Sequence, residues 1–116
     1  MSALQGIKVV EFTSYVSGPY AGMLLGDFGA DIIKVEPPET GDPFRRWGET
    51  SYNATFGSVN RNKKSVTLDL KSPEGKAHAL RLMEEADVVI ENLRSGALDR
   101  LGLGWDAVKE RNPRLI

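Results

Sequence analysis

Small residues at a tight turn, and cations placed close to strand ends, are the residues of this chain best suited to chemistry. The stretch Ser14 to Pro19 leads from an apolar segment into Gly18-Pro19. In an open α/β sheet such a strand–turn–helix start binds ligands, because backbone N–H groups and the positive helix end gather there. Gly18, Gly22 and Gly26 follow at intervals of four. They do not form the G-x-G-x-x-G fingerprint of dinucleotide sites, which argues against an ordinary NAD site. Gly22 and Gly26 read as close helix packing. The turn itself fits either a ligand contact or a plain structural role.

Cations cluster in Arg61-Asn62-Lys63-Lys64, with Lys71 shortly after. Such groups can hold phosphates or a carboxylate, and arginine can do so bidentately. A solvated basic patch is the bland alternative. Arg94 and Arg100 flank a short helix and fit the same anion surface, or else an exposed helix face. Asn92 follows a strand, at a position that suits a ligand or a simple turn. Glu36 ends another strand, where a solvated carboxylate is expected in the absence of the dinucleotide fingerprint. Asp27 and Asp31 read as surface acids. His78, the single histidine, falls off the apolar stripe of its helix and is expected in solvent. It has no second histidine for a metal site, and no Ser/His/Asp arrangement can be argued.

Alternating strands and helices must position these groups. Ile7 to Phe12 reads as a strand rich in β-branched residues. Ala21, Leu24, Leu25 and Phe28 recur at helical spacing as a buried stripe. Gly29 then suits a left-handed cap, and Ile32 to Val35 forms a second strand stopped by Pro37-Pro38. The pattern repeats with a half-buried strand over Ser65–Leu70 and a helix opened by Ser72-Pro73-Glu74. That helix buries Ala79, Leu82, Met83 and Ala86. A more deeply buried strand follows over Asp87–Glu91. Strand–helix–strand units are thus expected at 7–36 and 65–91, with short helices over 96–112. Between the units, 37–64 reads as a long loop. Its Phe44, Trp47, Tyr52 and Phe56 are too aromatic for a flexible linker. The architecture is α/β, with a mainly parallel sheet and flanking helices.

Composition sets outer bounds. With 116 residues, 41% hydrophobic and 27% charged, the chain fits one globular unit. A net charge of -1 gives no electrostatic case for nucleic acid or an anionic membrane as the main partner. No stretch approaches a membrane span, and Met1 to Gly6 lacks the features of a signal peptide, so a cytoplasmic protein is expected. With no cysteine present, disulfides and thiolate chemistry are excluded. Arg114-Leu115-Ile116 reads as the opening of a further strand, and the chain is expected to be part of a longer protein.

Several motifs together resemble one family. They are Gly6-Ile7-Lys8-Val9-Val10-Glu11-Phe12, Gly18-Pro19-Tyr20-Ala21, and the run from Gly26 through Gly29-Ala30-Asp31-Ile32 to Glu36-Pro37. Further matches are Gly41-Asp42-Pro43, Asn60 to Ser65, Leu68-Asp69-Leu70-Lys71 and Pro73-Glu74-Gly75. Ala86-Asp87-Val88, Glu91-Asn92-Leu93-Arg94, Gly96-Ala97-Leu98, Leu101-Gly102 and Asn112 to Ile116 complete the series. In this order they resemble the amino-terminal part of family III CoA-transferases, the CaiB/BaiF type. That group includes formyl-CoA transferase, carnitine CoA-transferase and alpha-methylacyl-CoA racemase.

The resemblance implies a partial Rossmann-like CoA-binding domain over 1–116, from a longer protein whose two subunits interlink like rings. It implies CoA or a CoA thioester as ligand, no metal, and a homodimer. Val16 and Ser17 match the turn that meets CoA. Leu68 and Lys71 match residues around the adenine and phosphates, while Asn92, Leu93, Arg94 and Arg100 match the other wall. Pro37 departs from the arginine that several members carry there, a loss that weakens phosphate binding. The family's nucleophile is an aspartate that attacks the thioester and passes through covalent intermediates. No acid of this chain aligns with it or with the racemase acid–base residues, so these 116 residues alone are expected to be inactive. A freestanding CoA-binding module and a self-associating remnant with exposed strand edges are the alternatives.

Overall fold

A computed structural model describes residues 1–48 and 53–116. Its elements run β1 (Lys8–Phe12), α1 (Ser17–Asp27), β2 (Asp31–Glu36), a 3-10 turn (Pro43–Arg46), α2 (Ala54–Asn60) and β3 (Lys63–Thr67). They continue with α3 (Pro73–Glu85), β4 (Val88–Glu91), α4 (Ala97–Arg100) and α5 (Trp105–Val108). The four strands form one parallel sheet in the order β3-β2-β1-β4. Parallel strands need crossovers, and α1, α2 and α3 lie in the three successive ones.

The period-two pattern of β1 divides the core. Val10 and Phe12 face Ala79 and Met83 of α3 and Ala86 just after it, together with Leu103, Val108 and Leu115. Val9 points the other way, with Ile32 and Ala30, into a smaller cluster under α1. Each fully buried Val or Ile here contributes about 1.5–3 kcal/mol. The α1 side of the sheet is apolar only near the amino ends of the strands. Toward the carboxyl ends it carries Glu11, Lys34 and Glu36, all nearly free of solvent.

Helix starts and stops follow the local chemistry. The Ser72 hydroxyl accepts from Gly75 N at 3.0 Å, with Pro73 in the first turn and Glu74 near the positive end, as expected. Gly29 adopts φ +100, which a residue with a Cβ rarely does, and its N–H bonds Gly26 O at 2.9 Å.

Five expectations need correction. Residues Gly18, Pro19, Gly22 and Met23 form the buried face of α1. Of the expected stripe, Ala21 and Leu25 are half-buried, whereas Leu24 and Phe28 are 39% and 57% exposed. The helix lies glycine face down, because buried polar side chains fill the space beneath it. The 37–64 loop contains the 3-10 turn and α2, whose start is capped by the Asn53 side chain accepting from Phe56 N at 3.0 Å. Tyr52 lies outside the described residues. Next, β3 begins at Lys63 and ends at Thr67, two residues earlier than expected at its start; Leu68 N still donates to Glu36 O at 3.0 Å. Finally, β4 is half-buried, because it lies at a sheet edge among the described residues. The expected strand opening at 114–116 amounts to Ile116, which bonds Asp87 O through its N–H and accepts from Val89 N.

Candidate ligand-binding site

Four buried charges underlie the carboxyl ends of the central strands. Lys34 Nζ lies 3.3 Å from Glu11 Oε1 and 3.0 Å from Asp42 Oδ2, while Lys63 Nζ lies 2.9 Å from Glu11 Oε1. The two cations balance the two anions, which is how such groups tolerate burial. Lys63 also donates to Pro19 O and to Asn60 Oδ1, tying α1 to the end of α2. Burial pulls the Lys63 ammonium below its ordinary pKa, with Glu11 opposing that shift. Thr13 Oγ1 donates to Glu11 Oε1 at 2.9 Å, and Lys34 Nζ donates to Thr13 O at 3.1 Å.

Above this layer the chain leaves β1 through Ser14, Tyr15 and Val16, and side chains from distant segments hold its backbone. Asn92 accepts from Ser14 N at 2.9 Å and donates to Ser14 O at 2.8 Å and Ser17 Oγ at 3.2 Å. Asp42 Oδ1 accepts from Tyr15 N at 3.2 Å and from Phe44 N at 2.9 Å. Tyr15 has φ +62, in the left-handed region. That geometry turns the chain sharply enough for α1 to start beside the end of β1. The helix start carries no side-chain cap.

Next to the turn is a cavity of about 320 Å³. Apolar walls come from Pro37, Pro38, Leu68, Leu93 and Leu101, with Ser14, Lys71, Asp69 and the ion-paired acids Glu36 and Asp42 among the polar members of the lining. It sits where the strands end, the ordinary ligand position of an open α/β sheet. The walls suit a planar heterocycle, and Lys71 provides a cation for an attached phosphate. A second hollow of about 300 Å³, between β4, α4 and α5, offers only Glu91 and Asp99 as charged lining. No cation stands beside those acids in the lining among the described residues, unlike Lys71 in the strand-end cavity, which disfavours an anionic ligand there.

Of the residues singled out in the sequence, Leu68, Lys71 and Leu93 line the strand-end cavity together. Val16 and Ser17 are exposed at the start of α1, beside Ser14 of the lining. Asn92 touches that turn, and both ends of its amide are spent on protein partners. Arg94 is exposed and lies outside the lining. Arg100 also lies outside it, donating to Ser95 O at 3.3 Å.

The basic run is not a joint anion surface. It opens β3, at the opposite end of the strand from the cavity, and its cations are already paired. Arg61 binds Asp27, Lys63 binds Glu11 and Lys64 binds Asp31. Nor is Glu36 a solvated strand end. It is 3% exposed and accepts from Arg45, Ser65 and Asp42 N. Burial raises its pKa, but those hydrogen bonds and the Arg45 charge outweigh burial and hold the carboxyl at about 2. His78 is exposed, as expected. Among the described residues no group of acids and histidine could hold a metal ion, and no helix is long and apolar enough to cross a membrane.

Sequence reasoning missed Glu11, Lys34 and Asp42. A signal was present: Glu11 stands between Val10 and Phe12, and Lys34 between Ile33 and Val35, inside their strands. Charges at such positions must be paired once buried.

Comparison with known proteins decides the family. The sequence pattern of CoA-transferase family III matches residues 4–116. The chain belongs to CoA-transferase family III. It is 47% identical over 116 residues to succinyl-CoA–D-citramalate CoA-transferase of Chloroflexus aurantiacus, covering 97% of this chain and 29% of the relative. It is 44% identical over 117 residues to formyl-CoA:oxalate CoA-transferase of Afipia carboxidovorans, covering 98% of this chain and 28% of the relative. A CaiB/BaiF family protein from Brucella suis superposes with a TM-score of 0.92 at 45% identity, over 99% of this chain and 32% of that one. Rv3272 from Mycobacterium tuberculosis superposes equally well, at 0.92 and 47% identity, over 100% of this chain and 32% of its own. The chain thus spans less than a third of the length of these relatives. Its α/β fold, a parallel sheet with flanking helices, is the one these solved family structures share over that part.

Proposed function

We propose that this chain is the CoA-binding, amino-terminal part of a family III CoA-transferase, which moves CoA between an acyl-CoA thioester and a carboxylic acid. The observation that carries the reading is the meeting of Leu68, Lys71 and Leu93 in one strand-end cavity beside the turn that opens α1. On this reading Pro37, Pro38, Leu68 and Leu93 sandwich the adenine. Lys71 and Arg94 meet the phosphates, and the uncapped N–H groups at Val16 and Ser17 face the ligand. Arg100 and Asn92 complete the other wall, Asn92 acting through Ser14.

The nucleophilic aspartate that the family resemblance implies lies outside these 116 residues. Its carboxylate attacks the thioester carbonyl, and the covalent anhydride and aspartyl-CoA intermediates divide the transfer into easier steps. The chain alone therefore binds without turnover. The complete protein acts as a cytoplasmic homodimer without a metal. Relatives with transferase names favour the transferase over the racemase reading.

Calorimetric titration of the folded chain with free CoA tests this. Saturable binding is expected, weakened by about tenfold in Lys71→Ala and in Arg94→Ala, the usual worth of a charge-assisted contact. A folded chain that does not bind CoA, or that binds it equally well in both variants, overturns the proposal.

A further inference from the structure

We propose that Asp42 is a positioning residue for the ligand-facing turn: its buried carboxylate holds Tyr15 in the left-handed conformation that presents Val16 and Ser17 beside the cavity. The inference rests on the CoA-binding reading of that turn and adds a residue to it.

Asp42 is 1% exposed, lies in the lining of the strand-end cavity itself and joins three segments, so hydrogen exchange, not affinity alone, isolates its hold on the turn. Its Oδ1 takes the N–H groups of Tyr15 and Phe44, at 3.2 and 2.9 Å. Its Oδ2 faces the Lys34 ammonium at 3.0 Å. Its own N–H donates to Glu36 Oε2 at 2.7 Å, so the carboxylate is itself held in place.

Tyr15 has reason to leave its conformation. A side chain at φ +62 is disfavoured relative to the extended or right-handed alternatives. Asn92 secures both backbone groups of Ser14, and Lys34 secures Thr13 O. Beyond Ser14, Asp42 provides the side-chain acceptor for the strained residue itself. The same carboxylate places Phe44, whose ring lies 6.1 Å from Tyr15 and 6.1 Å from Trp47. Tyr15 and Trp47 meet edge-on at 6.0 Å, so the aromatic cluster and the turn share one anchor.

Two variants separate positioning from mere stability. Asp42→Asn keeps an oxygen for Tyr15 N and Phe44 N but takes the negative charge away from Lys34. Asp42→Ala removes both. Both lower the melting temperature. Only Asp42→Ala releases the turn, and its CoA affinity is expected to fall by about tenfold or more as the competent conformation becomes a minor one. Asp42→Asn stays within about threefold of wild type on the same population argument. If Asp42→Ala does not fold, Lys34→Met with Asp42→Ala removes both charges of the pair and takes its place, read against Lys34→Met with Asp42→Asn, which shares the loss of the Thr13 O donor but keeps the acceptor for Tyr15 N.

Hydrogen exchange at the Tyr15 amide reads the turn without any ligand. Protection is expected in wild type and Asp42→Asn, and loss of protection in Asp42→Ala. A folded alanine variant with wild-type affinity or a protected Tyr15 amide overturns the positioning role, and so does an asparagine variant as weak as alanine. If wild type itself ignores CoA while the exchange pattern holds, the CoA reading falls and Asp42 remains the anchor of the turn.

Discussion

Lys63 Nζ reaches Glu11 Oε1 at 2.9 Å, passing over β2 to join the edge strand β3 to β1, with the two side chains 2% and 0% exposed. Together with Lys34 and Asp42 this forms a neutral group of four charges under the candidate site. Neutrality, more than any single contact, lets charge persist inside the sheet.

Removing one member should therefore cost far more than removing its neighbour in sequence. Lys63→Met leaves one cation against two buried carboxylates and also deprives Pro19 O of its donor. A loss of about 3 kcal/mol is expected. Lys64, bound to Asp31 with the two side chains 70% and 48% exposed, is a solvent-screened pair. Lys64→Met should cost less than about 1 kcal/mol. Urea unfolding of both variants measures the difference, and equal midpoints would refute the assignment of Lys63 to the interior.

The same cluster distinguishes two glycines that look alike in sequence. A Cβ on Gly22 would lie 2.0 Å from Glu11 Oε2 and 3.3 Å from Lys63 Nζ. Glu11 is pinned by its other oxygen to Thr13, Lys34 and Lys63, so it cannot yield cheaply. Gly22→Ala should destabilise by about 2–3 kcal/mol. On Gly26 the Cβ would meet Ile32 Cγ1 at 3.3 Å and Asn62 Cβ at 3.8 Å. A small shift relieves that contact, and alanine gains helix propensity of about 1 kcal/mol, so Gly26→Ala should be near neutral. Thermal unfolding of the two variants decides it; matching losses would show that Glu11 does not crowd α1.

What was legible in the sequence followed local rules. The strand–helix alternation, the Ser72-Pro73 start and the left-handed Gly29 depend on neighbours a few residues away. The stripe of α3 was readable because an apolar sheet face lies beneath it. That of α1 was not, because Glu11, Thr13 and Asn92 take the space beneath Gly18 and Gly22, so that part of the buried face admits no larger side chain. The basic run was misjudged for a related reason: Lys63 meets Glu11, 52 residues away, and Arg61 meets Asp27, 34 away. Pairing at such distances has no periodic signature. Leu68 and Leu93 came from family resemblance and Lys71 also from its charge; they follow the two outer strands, β3 and β4, and meet only because parallel strands put those exits at one end of the sheet.

Glu36 gives the fold an acid-sensitive joint. Arg45 grips it with two nitrogens at 2.8 and 2.6 Å, Ser65 Oγ donates at 2.8 Å, and Arg45 in turn lies 4.2 Å from the centre of the Phe56 ring. These contacts tie β2 to the 3-10 turn, β3 and α2. Its folded pKa of about 2 lies below the ordinary 4.5, so on acidification the unfolded chain takes up the proton first. The stabilisation is complete above that ordinary value and drains away as pH falls toward the folded one. Arg45 is 42% exposed, which weakens the pair, so roughly 2 kcal/mol is at stake. Denaturant unfolding of wild type and Glu36→Gln should give curves of stability against pH that lie apart at neutral pH. Their separation should shrink by that amount between about pH 6 and about pH 2.5. Parallel curves would mean that Glu36 titrates alike in both states and that the Arg45 grip does not hold in solution.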